Sequence, residues 1–236
     1  MLSIVSTPIG NLADMTKRAI QTLVEADLIA CEDTRHTKVL LDRYQITTPT
    51  VSYHQHSTLQ KIDWLVEQLI QGKHIALVTD AGTPGISDPG GVLVEKVHTH
   101  NRDAIEPIVM VSIPGASSLT AALSVSGFPS DTFLFLGFLP KKKGRQSLIQ
   151  SLTKLDKPLG IKTVAFFESA IRVHQTLLDF ETAFNRASTV DNIEVCMCRE
   201  LTKQFEEIWR GSLAESIEQT KKPQKGEFVV ILHQSR

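Results

Sequence analysis

Cysteine is scarce in this chain, and so is any excess of charge. Of 236 residues only three are cysteines, and 25 basic side chains nearly balance 26 acidic ones, for a formal net charge of −1. Three cysteines without a spacing framework argue against a disulfide scaffold and favour a reducing compartment. Proteins that bind long naked nucleic acid usually carry a strongly basic field. A nucleic-acid partner would therefore have to meet a local basic patch, or be recognised in an already folded particle.

Long apolar runs are missing as well. No run approaches the ~20 residues that a membrane-spanning helix needs, and the first apolar residues lead at once into polar ones, unlike a secretory signal. We therefore expect a cytoplasmic protein with no membrane contact. Cys196 and Cys198 stand at alternate positions of a predicted strand, which favours a structural role on one strand face. A zinc site needs four ligands, and since no partner pair is in sight we expect no metal.

Several common nucleotide and hydrolase motifs are also absent. The sequence has no G-x-x-x-x-G-K-[ST], which excludes a P-loop, and no G-x-G-x-x-G after the first predicted strand, which argues against a Rossmann dinucleotide site. It has neither H-E-x-x-H nor G-x-S-x-G. A ligand site must therefore be sought in other loops.

The first half of the chain alternates short apolar runs with helical patterns. Apolar runs at 2–6, 27–31, 74–79 and 108–113 predict buried strands, and Asp14 is expected to cap the first helix. Continuous apolar runs are typical of parallel strands that are buried on both faces. The alternation predicts βαβ units and a mainly parallel sheet.

The second half has a different pattern. Strands are predicted at 132–136, 163–167, 193–198, 205–209 and 228–232. Short links and one helix at 213–219 separate the last three, which predicts a mixed sheet with antiparallel pairs. The sequence thus predicts an α/β protein with an N-terminal domain at 1–113 and a C-terminal domain at 114–236.

Three loops that follow strands of the first half are candidate binding segments. They lie at 6–11, 79–91 and 113–118, and the second is unusually long and rich in glycine and proline. Because ligands bind outside the carboxyl ends of parallel strands, we expect the three loops to gather at one edge of the sheet. Asp80 would there accept hydrogen bonds from hydroxyl or ammonium groups.

Two charged segments allow more than one interpretation. Glu32-Asp33-Thr34-Arg35 follows the second strand, where it could orient a hydroxyl and hold a phosphate, or simply begin a helix. Lys141-Lys142-Lys143-Gly144-Arg145 could contact an RNA backbone or form a solvated turn. His54 and His56 are too few for a metal site and are expected to shape a cleft or its surface.

An ordered set of motifs along nearly the whole chain resembles ribosomal RNA small subunit methyltransferase I, a family of the tetrapyrrole methylase superfamily. Each motif is weak alone, but the ordered set is very specific. The motifs are Thr7-Pro8-Ile9-Gly10-Asn11-Leu12, Glu32-Asp33-Thr34-Arg35, Ser52-Tyr53-His54, Ser87-Asp88-Pro89-Gly90, Ile113-Pro114-Gly115, Ser126-Gly127-Phe128-Pro129, Gly137-Phe138-Leu139-Pro140, Arg199-Glu200-Leu201-Thr202-Lys203 and Lys225-Gly226-Glu227. The chain departs from the family at Ala170 and Ile171, where the family usually has proline and histidine.

The resemblance implies two α/β domains with the cofactor in the cleft between them, usually in a homodimer. The cofactor would be S-adenosylmethionine, bound without the Rossmann glycine motif. The substrate would be the 2′-hydroxyl of a cytidine in the decoding region of small-subunit rRNA, within the 30S subunit. By position, the residues that match cofactor-contacting regions are Pro8, Asp80, Gly82, Thr83, Ala116, Ser117, Ser118, Leu201 and Gly226.

Ribose methylation requires orientation of the hydroxyl and help in removing its proton. Charge at the strand ends and the family match suggest Asp33 or Glu168 for this role. The cations expected to hold substrate phosphates are Arg35, Lys141, Lys143, Arg145, Arg172, Arg199 and Lys203.

Two alternative functions share the same fold. One is a tetrapyrrole methyltransferase of the precorrin type, and the other is a non-catalytic relative that binds the cofactor or the ribosome. Fold alone does not decide among them. The Glu-Asp-Thr-Arg motif and the basic run favour RNA, whereas the altered segment after Glu168 keeps the non-catalytic alternative open.

Overall fold

A computed structural model describes residues 1–54, 57–88, 90–154, 160–188, 192–223 and 225–235. The chain divides into two compact units, Met1–Ser117 and Ser118–Arg236, which we call unit 1 and unit 2. The domain limits predicted from the sequence, 1–113 and 114–236, differ from these units by a few residues in one loop.

Unit 1 is built on a parallel sheet of five strands. The strands are β1 (Leu2–Val5), β2 (Leu28–Cys31), β3 (Thr50–Ser52), β4 (Ile75–Leu77) and β5 (Met110–Ile113), arranged in the order β3-β2-β4-β1-β5. All four neighbouring pairs are parallel, which confirms the predicted sheet. The helices are α1 (Lys17–Glu25), α2 (Thr34–Arg43), α3 (Leu59–Ile70) and α4 (Gly91–Asn101).

Both faces of this sheet are buried, which explains its continuous apolar strands. In β4, Ile75 and Leu77 pack in one cluster with Leu65 of α3. The alternate residue Ala76 packs in a second cluster with Leu23 of α1. Side chains that alternate between two covered faces are therefore mostly apolar.

The first helix begins later than the sequence suggested. Thr16 caps α1, because its hydroxyl oxygen accepts a hydrogen bond from the backbone N–H of Ala19 at 3.1 Å. Asp14 instead ends a short 3₁₀ turn, Leu12–Asp14, whose cap is the side chain of Asn11. The prediction that Asp14 caps this helix was therefore wrong, since the chain makes a separate turn before the helix starts.

Unit 2 contains a mixed sheet. Its elements are α5 (Ser118–Ser126), β6 (Phe133–Phe138), α6 (Arg145–Leu152), β7 (Thr163–Ser169), α7 (Ala170–Arg186), β8 (Ile193–Arg199), β9 (Glu207–Ser212), α8 (Leu213–Thr220) and β10 (Glu227–Gln234). The strand order is β6-β7-β10-β8-β9, with β6 parallel to β7 and the other pairs antiparallel. The predicted mixed sheet is confirmed.

One face of this second sheet forms the core of unit 2. Phe166, Val195 and Val230 point to that face and pack against the apolar sides of α7 and α8. Cys196 and Cys198 lie on the opposite face of β8, both buried, with their sulfur atoms 3.8 Å apart. Strand β9 begins at Glu207 rather than at the predicted position 205, because Phe205 lies in an exposed turn.

None of the described helices is both long enough and apolar enough to cross a lipid bilayer.

Candidate active site

The loops that leave β1 and β4 are tied directly to each other at the carboxyl edge of the unit 1 sheet. The backbone N–H of Thr7 donates to the carbonyl of Gly82 at 2.9 Å, and the N–H of Gly82 donates back to Thr7 at 3.1 Å. The hydroxyls of Ser6 and Thr83 lie 2.8 Å apart. These bonds fix the two loops as one rigid surface.

The loop after β5 packs against the same surface at Gly115. A Cβ atom added at Gly115 would lie 3.0 Å from the Cβ of Ser6 and 3.3 Å from its carbonyl oxygen. Only glycine permits so close an approach without displacement of a neighbour. The three loops therefore meet at one edge, as the sequence predicted.

Seven of the residues expected to bind a cofactor lie on these three loops. They are Pro8, Asp80, Gly82, Thr83, Ala116, Ser117 and Ser118. The structure thus brings them to one sheet edge, while their contact with a cofactor stays a prediction.

Three carboxylates gather beside these loops, at the ends of β2 and β4. Asp80 accepts a hydrogen bond from the backbone N–H of Asp33 at 3.3 Å, and Glu32 accepts one from the hydroxyl of Thr79 at 3.5 Å. Partial burial raises the pKa of the Glu32 carboxyl above its usual range, and the negative charge of Asp80 raises it further. A carboxylate with a raised pKa is suited to accept a proton near neutral pH.

Asp33 is in a different electrostatic position. Its carboxylate caps α2 through the N–H of Arg35 at 2.8 Å and forms two more hydrogen bonds with the Arg35 guanidinium, the shorter at 2.7 Å. The hydrogen bonds from the Arg35 side chain and backbone hold the pKa of Asp33 well below its usual range. This geometry argues against Asp33 as a base and leaves Arg35 already paired. Glu32, which the sequence analysis did not select, is the better candidate.

A cavity of about 390 Å³ opens beside the glycine-rich loop. Tyr53, His54, Ser87 and Gly90 contribute to its lining, so two motifs of the family resemblance meet there. The Tyr53 hydroxyl oxygen accepts a hydrogen bond from the backbone N–H of Leu93 at 3.1 Å, which caps the start of α4. The volume of this cavity is in the range of small-molecule pockets. His56 lies outside the described residues.

Unit 2 brings the two remaining cofactor candidates, Leu201 and Gly226, to one junction between β8 and β10. Gly226 has a φ of +105°, and a Cβ added there would lie only 2.5 Å from Cγ of Glu200. Glu200 and Thr202 themselves have positive φ values of 49° and 67°. Strained backbone of this kind is often found at functional sites.

Glu168 lies in the interior of unit 2. Its side chain is 0% exposed and forms ion pairs with Arg172 at 3.4 Å and Arg145 at 4.0 Å. One carboxylate oxygen accepts a hydrogen bond from the Thr176 hydroxyl at 2.8 Å, and the other accepts from the backbone N–H of Ser169 at 2.9 Å. This burial argues against Glu168 as a base that meets a ribose hydroxyl.

Arg145 is also buried, which argues against its predicted contact with RNA. Its guanidinium donates to Asp179 at 2.9 Å, to Thr176 at 2.8 Å and to the carbonyl of Pro140 at 3.3 Å. A side chain held by these partners stabilises the fold of unit 2 and is not available to a phosphate.

Most of the other predicted phosphate ligands are also neutralised. Arg199 pairs with Glu207 at 3.0 Å, and Lys203 pairs with Glu200 at 2.9 Å. Lys141 and Lys143 are exposed, and neither forms an ion pair with any residue in the described part of the chain. Of the seven predicted cations, these two have the least compensated charge.

Comparison with known proteins assigns the family. The sequence model of the Tetrapyrrole (Corrin/Porphyrin) Methylases matches residues 1–216. Ribosomal RNA small subunit methyltransferase I of Synechocystis sp. is 44% identical over 234 residues, which cover 98% of this chain and 78% of that protein. The protein of the same name from Thermotoga maritima is 43% identical over 232 residues, covering 98% and 97%. The chain belongs to the ribosomal RNA small subunit methyltransferase I family, within the tetrapyrrole methylases.

Solved structures support the fold. Uroporphyrin-III C-methyltransferase from Thermus thermophilus, complexed with S-adenyl homocysteine, has a TM-score of 0.64 and 16% identity, and the match covers 98% of this chain and 96% of that chain. At so low an identity the likeness shows the fold alone. Two α/β domains of the tetrapyrrole methylase type, expected from the resemblance, are thus confirmed.

Proposed function

We propose that the protein transfers a methyl group from S-adenosylmethionine to the 2′-hydroxyl of a cytidine in small-subunit rRNA. The observation that carries this proposal is 44% identity, across 98% of the chain, to a ribosomal RNA small subunit methyltransferase I. The cytidine and its place in the decoding region come from the family resemblance. No observation in the structure favours a tetrapyrrole over RNA.

The joined loops of unit 1 fit the proposed cofactor chemically. They combine the Asp80 carboxylate, the hydroxyls of Ser6 and Thr83, and the backbone of Gly82, whose φ of +80° favours glycine. Asp80 would accept hydrogen bonds from ribose hydroxyls or from the ammonium group. Gly82, Thr83 and the segment 116–118 would line the same site. When bound, S-adenosylmethionine supplies an activated methyl group on its sulfonium centre.

Glu32 is the residue that we assign to the proton. Its carboxylate lies beside Asp80, and burial together with that neighbouring charge raises its pKa. In the proposed reaction the carboxylate of Glu32 accepts the proton that leaves the ribose hydroxyl. Asp33, whose pKa is held low by Arg35, orients the start of α2 instead.

The charge distribution favours an assembled 30S subunit over naked rRNA as the substrate. The formal net charge is −1, and Arg35, Arg199 and Lys203 all have carboxylate partners. A long naked RNA would meet a protein with no net positive charge. On the basis of the family resemblance, we also propose that the protein acts as a homodimer in the cytoplasm.

Labelled S-adenosylmethionine offered with 30S subunits, deproteinised 16S rRNA or a precorrin-type tetrapyrrole tests this function. We expect label in the RNA of the subunits, on a ribose 2′-oxygen. Label in the tetrapyrrole alone would support the first alternative, and no transfer to any acceptor would support the non-catalytic one.

Two adjacent substitutions test the assignment of the base. Glu32→Gln should lower kcat by about 10²-fold or more, because it removes the proton acceptor, while the Kd for S-adenosylmethionine stays nearly unchanged. Asp33→Asn is the matched control, because asparagine caps a helix as well as aspartate does. Full turnover by the Glu32 variant would reject the assignment.

A further inference from the structure

Phe138 is an exposed aromatic residue that a β-bulge directs away from the core of unit 2. Phe135 pairs with Ala165 and Phe138 with Phe167, so β6 carries one residue more than β7 between these points, and Gly137 has a φ of 58°. The extra residue moves Phe138 to the face of Phe135 and Phe167, opposite the face on which Leu134 and Phe166 pack.

On that face the ring of Phe138 contacts the ring of Phe167. Its ring centroid lies 5.4 Å from that of Phe167 at an interplanar angle of 60°, and the residue is 55% exposed. An aromatic ring held by a neighbour while much of its surface faces solvent has the geometry of a stacking platform.

A run of uncompensated positive charge follows directly. Lys141, Lys142 and Lys143 are all exposed, and none forms an ion pair with a described residue. They follow Phe138 by three to five residues, and the ring and the three lysines are all exposed. We call residues 138–143 the Phe138 loop.

The Phe138 loop is held firmly from beneath. The side chain of Leu139 is buried, and the Arg172 guanidinium donates to the carbonyls of Leu139 at 3.0 Å and Pro140 at 3.3 Å. Arg145 donates to the carbonyl of Pro140 as well, at 3.3 Å. Both arginines are fixed by ion pairs with Glu168. A loop that is ordered before binding loses less entropy when its ligand docks.

We propose that the Phe138 loop binds unpaired RNA, with a base stacked on Phe138 and the backbone phosphates held by Lys141, Lys142 and Lys143. This inference rests on the proposed function, because it names the part of the rRNA that the enzyme grips. Glu168, Arg145 and Arg172 do not contact the RNA in this proposal. They are positioning residues, because they hold the backbone of the Phe138 loop in place. A second copy of the chain would have to face three lysines that have no ion-pair partner among the described residues, whereas single-stranded RNA matches both the aromatic ring and the charge.

Binding of a short single-stranded RNA and of the corresponding duplex, titrated between about 50 and 200 mM salt, tests the two contacts separately. Phe138→Ala should weaken single-strand binding about tenfold without changing the salt dependence, since stacking involves no counterion release. Lys141→Gln combined with Lys143→Gln should lower the slope of log K against log salt by about 1.4, which is about 0.7 for each phosphate contact. In the duplex the bases are already stacked, so the Phe138 substitution should have little effect there.

Matched controls come from exposed sites elsewhere on the chain. Trp64 is a partly exposed aromatic whose ring lies 4.7 Å from Nζ of Lys61, so Trp64→Ala removes an aromatic residue beside a lysine outside the loop. Lys154→Gln with Lys222→Gln removes two exposed lysines of unit 2 that form no ion pair with a described residue. Both controls should bind the single strand as the wild type does, and circular dichroism should show that every variant is folded.

The outcomes separate this inference from the proposed function. Unchanged single-strand binding in the loop variants, or no wild-type binding at about 50 mM salt, overturns the inference even if the wild type methylates 30S subunits. Loss of self-association in Phe138→Ala, measured by sedimentation, with unchanged RNA binding also overturns it. If binding depends on the loop as expected but no methyl transfer occurs, the inference stands and the proposed function fails.

Discussion

Replacing Glu168 by glutamine separates a structural role of this carboxylate from a catalytic one. Glutamine keeps the shape of the side chain and an oxygen that accepts the N–H of Ser169. It removes the negative charge that faces Arg172 at 3.4 Å and Arg145 at 4.0 Å. The positive charges of Arg145 and Arg172 would then lie close together without the Glu168 carboxylate to neutralise them.

The expected cost follows from these contacts. Removal of one partner from a buried ion pair costs about 3–5 kcal/mol. Two features reduce that cost here, because Arg145 keeps Asp179 at 2.9 Å and the side chain of Arg172 is 25% exposed. We therefore expect a loss of about 2–3 kcal/mol, which for a protein of this size lowers Tm by about 4–12 °C.

Thermal unfolding and methyl transfer should be measured on the same preparation, the latter at a temperature well below both transitions. If Glu168 supports the fold, Glu168→Gln is less stable and keeps most of its kcat. If Glu168 is the base, Tm is unchanged and kcat falls by about 10²–10⁴-fold. Thr176→Val is a second structural variant, because it keeps the Glu168 charge but removes one hydrogen bond to that carboxylate and one from Arg145, and it should cost about 1–3 kcal/mol.

An unchanged Tm together with a collapse of kcat would refute the argument from burial. It would also argue against support of the Phe138 loop by Arg145 and Arg172, because that support depends on the same contacts with Glu168.

Two further predictions concern the loops of unit 1 and the effect of pH. Gly115→Ala should raise the Kd for S-adenosylmethionine in calorimetry, because the new Cβ would lie 3.0 Å from the Cβ of Ser6. Gly91→Ala is the control, because its Cβ would have no neighbour within 4 Å, and this variant should bind the cofactor normally. Equal effects of the two substitutions on the Kd would contradict the packing of the loops. Burial lowers the pKa of His233 below its ordinary 6.5, so its stabilisation is complete above that pH and is lost as the pH falls through the folded-state pKa. His233→Gln should therefore flatten the decline of Tm on acidification, and an identical decline in wild type and variant would count against this account.

The parallel sheet could be predicted because burial on both faces leaves a plain sequence signal. The edge strand β3 (Thr50–Ser52) gave no such signal, since Thr50 and Ser52 are exposed and only Val51 between them is partly covered. Thr16 rather than Asp14 caps α1, and nothing in the sequence distinguishes two polar residues so close together. The position of a helix cap or of a short edge strand depends on where the folded chain turns.

The candidate site was predictable in its loops but not in its charges. Glycines and prolines after apolar runs mark the loops, and parallel topology brings them together. The partner of a charged side chain is set by tertiary structure instead. Arg145 and Asp179 are far apart in sequence and meet at 2.9 Å, while Arg199 meets Glu207 across two paired strands. Sequence reasoning therefore selected Arg145 and Glu168 for chemistry that their burial argues against.

The pairing of most of the predicted phosphate-binding cations also bears on how a protein with almost no net charge would select RNA. If the Phe138 loop supplies the three lysines that meet phosphates, the expected salt slope for single-stranded RNA is only about 2. Non-specific attraction to RNA would then be weak, and a stacked base would have to provide much of the affinity. A base that is free to stack must be unpaired, which excludes most of the nucleotides of a folded ribosomal subunit. Weak charge and one aromatic platform would thus favour an exposed, single-stranded segment over the long duplexes that surround it.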